Sequence, residues 1–140
     1  MPNGNHFTGM VSKPPNLGKN WDELNLRELI RSYLDVPVAI TNDANAAALG
    51  EKYYGVAKSM NDVVFITLGT GLGSGIIVNN NMVYGHDGFA GELGHLSIDP
   101  RGRECGCGRR GCLEMYVSAK GLNYTAVSYT HLTLPTICSV

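Results

Sequence analysis

Four residues within eighteen positions, His95, Cys105, Cys107 and Cys112, offer one imidazole and three thiols. Two of the cysteines stand two apart, and the third follows five positions later in the run CGCGRRGCLE. One imidazole and three thiolates complete the tetrahedral shell that closed structural zinc sites use. Gly106, Gly108 and Gly111 let the backbone turn tightly enough to aim three sulfurs at one point. The plain alternative is three incidental cysteines in a reduced protein. Their density argues for the metal, since Cys138 is the only other cysteine in the chain. A disulfide between Cys105 and Cys107 would close a ring too small to be relaxed.

A second chemical feature is the run TLGTGLGSG, from Thr67 to Gly75. Glycines alternating with Thr70, Leu72 and Ser74 free backbone N–H groups to point into a concavity that suits phosphate oxygens. The spacing fails the G-x-G-x-x-G dinucleotide fingerprint, and no Gly-Lys-Ser/Thr follows, so neither a Rossmann turn nor a Walker loop is present. Taken alone, such a turn reads first as an ordinary hairpin. A third feature is Asn42–Asp43, where a strand is expected to end and a helix to begin. Side chains at such a junction project from a rigid frame into a cleft. Asp43 alone reads first as a helix N-cap. Asn42 carries both donor and acceptor, which suits hydroxyl recognition. Asn45 reads as structural, and Glu92 or Glu114, taken singly, as a solvated charge.

The elements that must position these residues follow from periodicity. Residues 1–19 carry Gly, Pro and Asn at loop density and predict little regular structure. Asn20 with Glu23 predicts a capping box, and Leu26, Leu29, Ile30, Tyr33 and Leu34 predict the apolar face of the helix it starts. Asp35 ends that helix and Pro37 prevents its continuation. Val36–Thr41 reads as a short strand, and 44–54 as an alanine-rich helix stopped by Gly55. Residues 62–68 predict a strand buried on both faces, 69–74 a turn, and 75–78 a further strand. Asn79 to Asn81 suit a hairpin turn with positive φ that leads into 82–84. Residues 93–98 predict another strand, and 113–122 a helix leaving the cysteine loop. The pattern is α/β with a mixed sheet.

A formal net charge of −1 gives no electrostatic reason for nucleic-acid binding. The basic cluster Arg101, Arg103, Arg109 and Arg110 reads as a solvated rim beside the cysteines. Hydrophobic content of 44% is that of a soluble globular domain, and no run approaches the ~20 apolar residues of a membrane span. With no charged-then-apolar leader and metal-type cysteines, the expected location is the cytoplasm.

Three segments, TNDANAAALGE (Thr41 to Glu51), TLGTGLGSG, and GELGH with C-x-C-G-x-x-G-C-x-E (Gly88 to Glu114), together resemble the ROK family of sugar kinases and repressors. The resemblance spans about residues 1 to 122. It implies part of an actin-like ATPase (ribonuclease H-like) fold with an inserted zinc loop. It also implies ATP-dependent phosphorylation of a hexose, with glucose the expected substrate and glucose 6-phosphate the product. Asp43 would be the catalytic base, and Asn42, Glu92, His95 and Glu114 would hold sugar hydroxyls. Gly69, Thr70, Gly71 and Gly73 would cradle the phosphates of ATP, which Mg²⁺ accompanies. His95, Cys105, Cys107 and Cys112 would bind a structural Zn²⁺, with the second ring nitrogen of His95 facing the sugar. Asn3, Gly4 and Asn5 are further candidates by the same analogy. His6, His86 and His131 have no supporting constellation.

Kinases of this family are longer, with a first phosphate loop at the start and a helical region closing over the adenosine. The chain is therefore expected to be an internal fragment, inactive alone and poorly stable, from a protein that is a homodimer when intact. Residues 123–140 read as a non-family tail, unstructured or artefactual, with a divergent native tail as the alternative. The rival function is a sugar-responsive repressor whose helix-turn-helix, the one route to nucleic acid, would lie upstream. A zinc-stabilised scaffold without ligand is the third reading. Glucose is not distinguished by sequence from mannose, N-acetylglucosamine or N-acetylmannosamine.

Overall fold

The structure, a computed structural model, describes residues 3–12 and 18–133. They fall into two compact units. The first takes the described residues up to Phe65 together with Ser74–Gly91, and the second Ile66–Gly73 together with those from Glu92 onward.

In the first unit, β1 (Asn3–Gly4), β2 (Met10–Ser12) and β3 (Leu24–Asn25) form a small antiparallel sheet in that order, with β1 and β2 in a region expected to be loop and β3 in one expected to be helix. Val11 is its buried anchor. Helix α1 (Leu26–Arg31) starts at Asn25, whose side chain accepts from Glu28 N–H at 3.1 Å. The expected capping box at Asn20 does not form. Residues Lys19–Trp21 make a 3₁₀ turn, and Glu23, at φ 56°, turns the chain into β3. The helix is thus six residues long, and Tyr33 and Leu34 lie past its end, well exposed. Residues 36–41 belong to no strand, contrary to expectation. Pro37 has no N–H to give a ladder, and no described strand runs beside them.

Helix α2 (Asp43–Tyr53) matches its expected extent within a residue. Its buried face is Ala44, Asn45 and Ala48. This face reaches the sheet backbone at Gly75, where a Cβ would lie 2.7 Å from Ala48 Cβ and 3.1 Å from the Ala44 carbonyl. Small residues on both sides permit that approach.

The second sheet runs β4 (Val63–Leu68), β5 (Leu72–Val78), β6 (Asn81–Met82). β4 is the end strand, and its burial alternates, leaving Val64, Ile66 and Leu68 more than half exposed. It is therefore covered on one face and not on two as its apolar run suggested. The central strand β5 is the buried one, and it begins at Leu72, so the glycine turn is shorter than expected. Asn79 and Asn80 adopt φ 50° and 63°, the paired positive values a type I′ hairpin needs.

In the second unit, residues 93–95 form a 3₁₀ turn where a strand was expected. Only Ser97 pairs, in a bridge with Cys112. The expected single helix over 113–122 is two helices, α3 (Glu114–Val117) and α4 (Ala119–Thr133), separated by the extended residue Ser118. Residues 123–133, expected to lack regular structure, continue α4. Hydroxyls that compete with a helix elsewhere are absorbed there, since Thr125 and Thr130 donate to the carbonyls of Gly121 and Ala126 four positions back. Residues 134–140, with Cys138, lie outside the described residues, as does the side chain of His131. Among the described residues no helix is long and apolar enough to cross a membrane.

Candidate functional site

The cysteine loop is built by backbone pairing before any metal is considered. Leu113 N–H bonds to Leu96 O at 2.9 Å and Ile98 N–H to Gly111 O at 2.8 Å, closing the base. Gly111 N–H reaches Arg103 O at 2.8 Å, and Cys105 N–H reaches Arg109 O at 2.9 Å, closing the tip. Of the three glycines expected to permit the turn, Gly108 (φ 86°) and Gly111 (φ 70°) hold conformations that require glycine, whereas Gly106 does not.

This frame brings one ligand atom each from His95, Cys105, Cys107 and Cys112 within 4.8 Å of one another. Cys105 Sγ stands 3.6 Å from His95 Nδ1, and Cys107 Sγ 3.6 Å from Cys112 Sγ. Cys105 and Cys112 are buried, with Met115 and Tyr116 packed against them, and Cys107 is exposed. Burial pushes the Cys105 thiol up to about 12, with the neighbouring Glu114 carboxylate adding to the rise. Burial also raises Cys112. Cys107 moves the other way, because the Arg109 backbone N–H, hydrogen bonds with the other two cysteines and the Arg109 charge outweigh the effect of its burial.

Glu114 belongs to the same cluster. Its Oε1 accepts from Cys105 Sγ at 3.0 Å and lies 3.4 Å from His95 Nδ1. The histidine nitrogen facing the sulfurs is therefore Nδ1, leaving Nε2 directed elsewhere. Glu92 precedes the 3₁₀ turn that carries His95, and its carbonyl accepts from His95 N–H at 3.1 Å. Gly69, Thr70, Gly71 and Gly73 lie in this unit as well, the first three on the turn between β4 and β5 and Gly73 as the second residue of β5.

Asn42 and Asp43 lie in the first unit, at the start of α2. The cap is Asn42, whose Oδ1 accepts from Asn45 N–H at 2.7 Å, and Asp43 is the first helical residue. Asp43 Oδ1 accepts from Ala44 N–H at 2.9 Å, while Oδ2 meets no donor among the described residues. Asn5 is engaged both in its own loop and with a distant segment. Its Oδ1 accepts from Phe7 and Thr8 N–H, and its Nδ2 donates to Asp87 O at 3.2 Å, which leaves it little capacity for a ligand. His6 stacks on Tyr84 with ring centroids 3.8 Å apart.

Sequence reasoning passed over Arg103 as part of a solvated rim. It donates to the carbonyls of Met115 (2.8 Å) and Gly121 (2.9 Å) and to Thr125 Oγ1 (2.9 Å), and stacks over Tyr116. It thereby fastens the helices after the loop to the loop itself. Every one of these partners is distant in sequence, so spacing carries no sign of the role.

The chain is 47% identical over 103 residues to a xylose repressor of Bacillus spizizenii, covering 74% of this chain and 27% of the repressor. It is 46% identical over 108 residues to a glucokinase of Streptomyces coelicolor, covering 77% of this chain and 33% of the glucokinase. Among solved structures it superposes on a ROK family glucokinase from Streptomyces griseus, in complex with glucose and AMPPNP. The TM-score is 0.77 at 38% identity, over 96% of this chain and 42% of that one. The chain thus spans about a third of the length of the curated relatives it matches. The profile of the ROK family matches residues 5–138, running past 122, where the resemblance was expected to end. On that match, through α2, the glycine turn and the sulfur–imidazole loop alike, the chain belongs to the ROK family.

Proposed function

We propose that this chain is the part of an ATP-dependent hexose kinase, acting on glucose, that carries the base, the sugar-binding acids and a phosphate-binding turn. The observation that carries the reading is the cluster of His95, Cys105, Cys107 and Cys112 with the Glu114 carboxylate held against it. Its donor set fits a structural Zn²⁺. For Zn–S of about 2.3 Å and Zn–N of about 2.0–2.1 Å, a tetrahedron has S···S edges of about 3.8 Å and S···N edges of about 3.6 Å. The 3.6 Å separations of Cys105 from His95 and of Cys107 from Cys112 are close to those edges, and all four ligand atoms lie within 4.8 Å of one another. His95 Nδ1 and the three Sγ atoms would hold the ion, which closes the loop and leaves no position for hydrolytic chemistry.

With Nδ1 committed, His95 carries its remaining proton on Nε2 and donates it to a sugar hydroxyl. Glu92 and Glu114 accept from hydroxyls, and Asn42, whose Oδ1 is used in capping, donates through Nδ2. A hydroxyl is a poor nucleophile. Asp43 orients it and takes its proton on Oδ2 as the bond to phosphorus forms. Backbone N–H groups from Thr70 to Gly73 receive the phosphate oxygens, that of Gly69 being donated to Gly71 O at 3.0 Å. ATP with Mg²⁺ supplies the phosphoryl group and neutralises its β- and γ-oxygens. The intact protein is proposed to be a homodimer.

The repressor relatives support a second reading, in which the same residues hold a sugar without phosphoryl transfer. A chimera separates the two, with residues 3–122 replacing the corresponding segment of the Streptomyces griseus glucokinase. The kinase reading expects ATP- and glucose-dependent ADP release that Asp43→Asn abolishes. Glucose binding without turnover would favour the repressor, and binding of neither glucose nor ATP would leave only a zinc-held scaffold.

A further inference from the structure

Within the first unit, His6 stands where α1, the residues leading into α2 and the loop after β6 converge. Its backbone is fixed from two sides. Asn5 Oδ1 accepts from Phe7 and Thr8 N–H, closing the turn between β1 and β2. From α1, the Arg27 guanidinium donates to the carbonyls of His6 and of Phe7, the latter at 2.9 Å. The half-buried ring then makes two contacts of its own. Its Nδ1 lies 3.2 Å from Ile40 O, and a carbonyl only accepts, so in the neutral ring Nδ1 carries the proton and Nε2 the lone pair. Among the described residues, the backbone of residues 37–41 has no other hydrogen bond. The face of the ring lies on Tyr84, with centroids 3.8 Å apart and planes 6° from parallel. The loop that Tyr84 opens is tied to the same turn, where Asn5 Nδ2 donates to Asp87 O at 3.2 Å.

We propose that His6 is a positioning residue for Asp43, holding through Ile40 O the entry to α2 that presents the carboxylate. This rests on the reading of Asp43 as the base. Ile40 stands two residues before Asn42, the extended cap of α2 (φ −78°, ψ 166°), and Asp43 follows as the first helical residue. So short a connection leaves little play between the held carbonyl and the carboxylate. The Nδ1–H bond fixes the entry, and the stack on Tyr84 gives that bond a fixed origin. Without the bond, the entry is free to shift by a fraction of an ångström. Misplacing a reacting group by about 1 Å costs up to about a hundredfold in rate. Sugar binding is shared among Asn42, Glu92, His95 and Glu114, whereas proton transfer depends on Asp43 alone. Loss of the bond should therefore fall on kcat more than on KM.

The test has a spectroscopic and a kinetic arm. Nitrogen NMR of the full chain with labelled histidine, His6 being recognised by its Overhauser contact with the Tyr84 ring, is expected to show the neutral imidazole protonated on Nδ1 and bare on Nε2. The opposite tautomer overturns the proposal without any substitution. In the glucokinase chimera, two variants then divide the contacts of the ring. His6→Phe keeps a ring on Tyr84 and loses the N–H, whereas His6→Asn leaves Tyr84 but carries an amide N–H near the place of Nδ1. Positioning expects His6→Phe to lower kcat about tenfold, with KM for glucose within about twofold, and His6→Asn to retain most of the rate. A ring that serves packing alone expects the reverse order. Adding His6→Phe to Asp43→Asn should cost the residual turnover little more, since the carboxylate to be placed is already gone. An active parent in which His6→Phe is harmless, His6→Asn is the slower, or the double variant loses both factors in full overturns the positioning alone. A parent chimera without turnover overturns the kinase reading and the positioning together.

Discussion

Gly111→Ala is the sharpest single perturbation of the metal loop. Gly111 holds φ 70°, and a Cβ there would overlap the Asp99 carbonyl. Alanine in that backbone region costs about 1–2 kcal/mol. The overlap adds to this, because the residue must move off Asp99. It then gives up the bonds from Ile98 N–H to Gly111 O and from Gly111 N–H to Arg103 O, both 2.8 Å. At about 1 kcal/mol each, the total comes to about 3–4 kcal/mol. Cys112 follows directly, so that loss falls on the geometry of the sulfurs, a drop of about two to three powers of ten in zinc affinity. Gly108 supplies the control, since it has φ 86° but no atom within 4 Å of its virtual Cβ. Gly108→Ala should show the backbone cost alone, about tenfold. Gly106→Ala, at ordinary φ in open space, should change nothing. The assay is competition for zinc against a chelator of known affinity, with the three variants side by side. If Gly111→Ala and Gly108→Ala weaken zinc equally, the packing against Asp99 and the two hydrogen bonds do not hold the loop, and the reasoning is wrong.

Zinc affinity should also rise steeply with pH. Cys105, pushed up to about 12, and Cys112, also raised, are protonated in the metal-free chain at neutral pH. Both protons leave on metal binding, so affinity between pH 7 and 8 should grow at least about a hundredfold, as isothermal titration in buffers of different ionisation enthalpy would register. Asn42→Ala removes the α2 cap and should lower stability by about 1 kcal/mol in urea unfolding, whereas Asn42→Asp, which can still accept from Asn45 N–H, should lose far less. In the chimera, Asp43→Asn should reduce turnover by about 10²–10⁴-fold with glucose binding nearly intact in a direct titration. Loss of binding in step with turnover would remove the carboxylate from the role of base.

What was legible in the sequence was local. The extent of α2, the positive φ of Asn79 and Asn80, and the gathering of His95 with three cysteines all follow from residues within a few positions of one another, or joined by a short glycine-rich loop. What was misread depended on distant partners. Asn20 and Glu23 carry good cap chemistry, but pairing of β3 with β2 claims the next residues and hands the cap to Asn25. Residues 36–41 have strand-forming side chains but no described neighbour to complete a ladder. The apolar run of β4 reads as doubly buried, and only the sheet order shows it to be an end strand. Thr and Ser in 123–133 argued against a helix until their hydroxyls found carbonyls within it. Arg103 and the two contacts of the His6 ring are invisible to spacing, because what matters is which carbonyl or ring the fold carries past them.

X-ray absorption at the zinc K-edge, on reduced chain purified with its native metal, is the most direct check on the metal-ordered site. One nitrogen at about 2.0–2.1 Å and three sulfurs at about 2.3 Å are the expected shell. A preparation without zinc, or a shell dominated by oxygen, would contradict it.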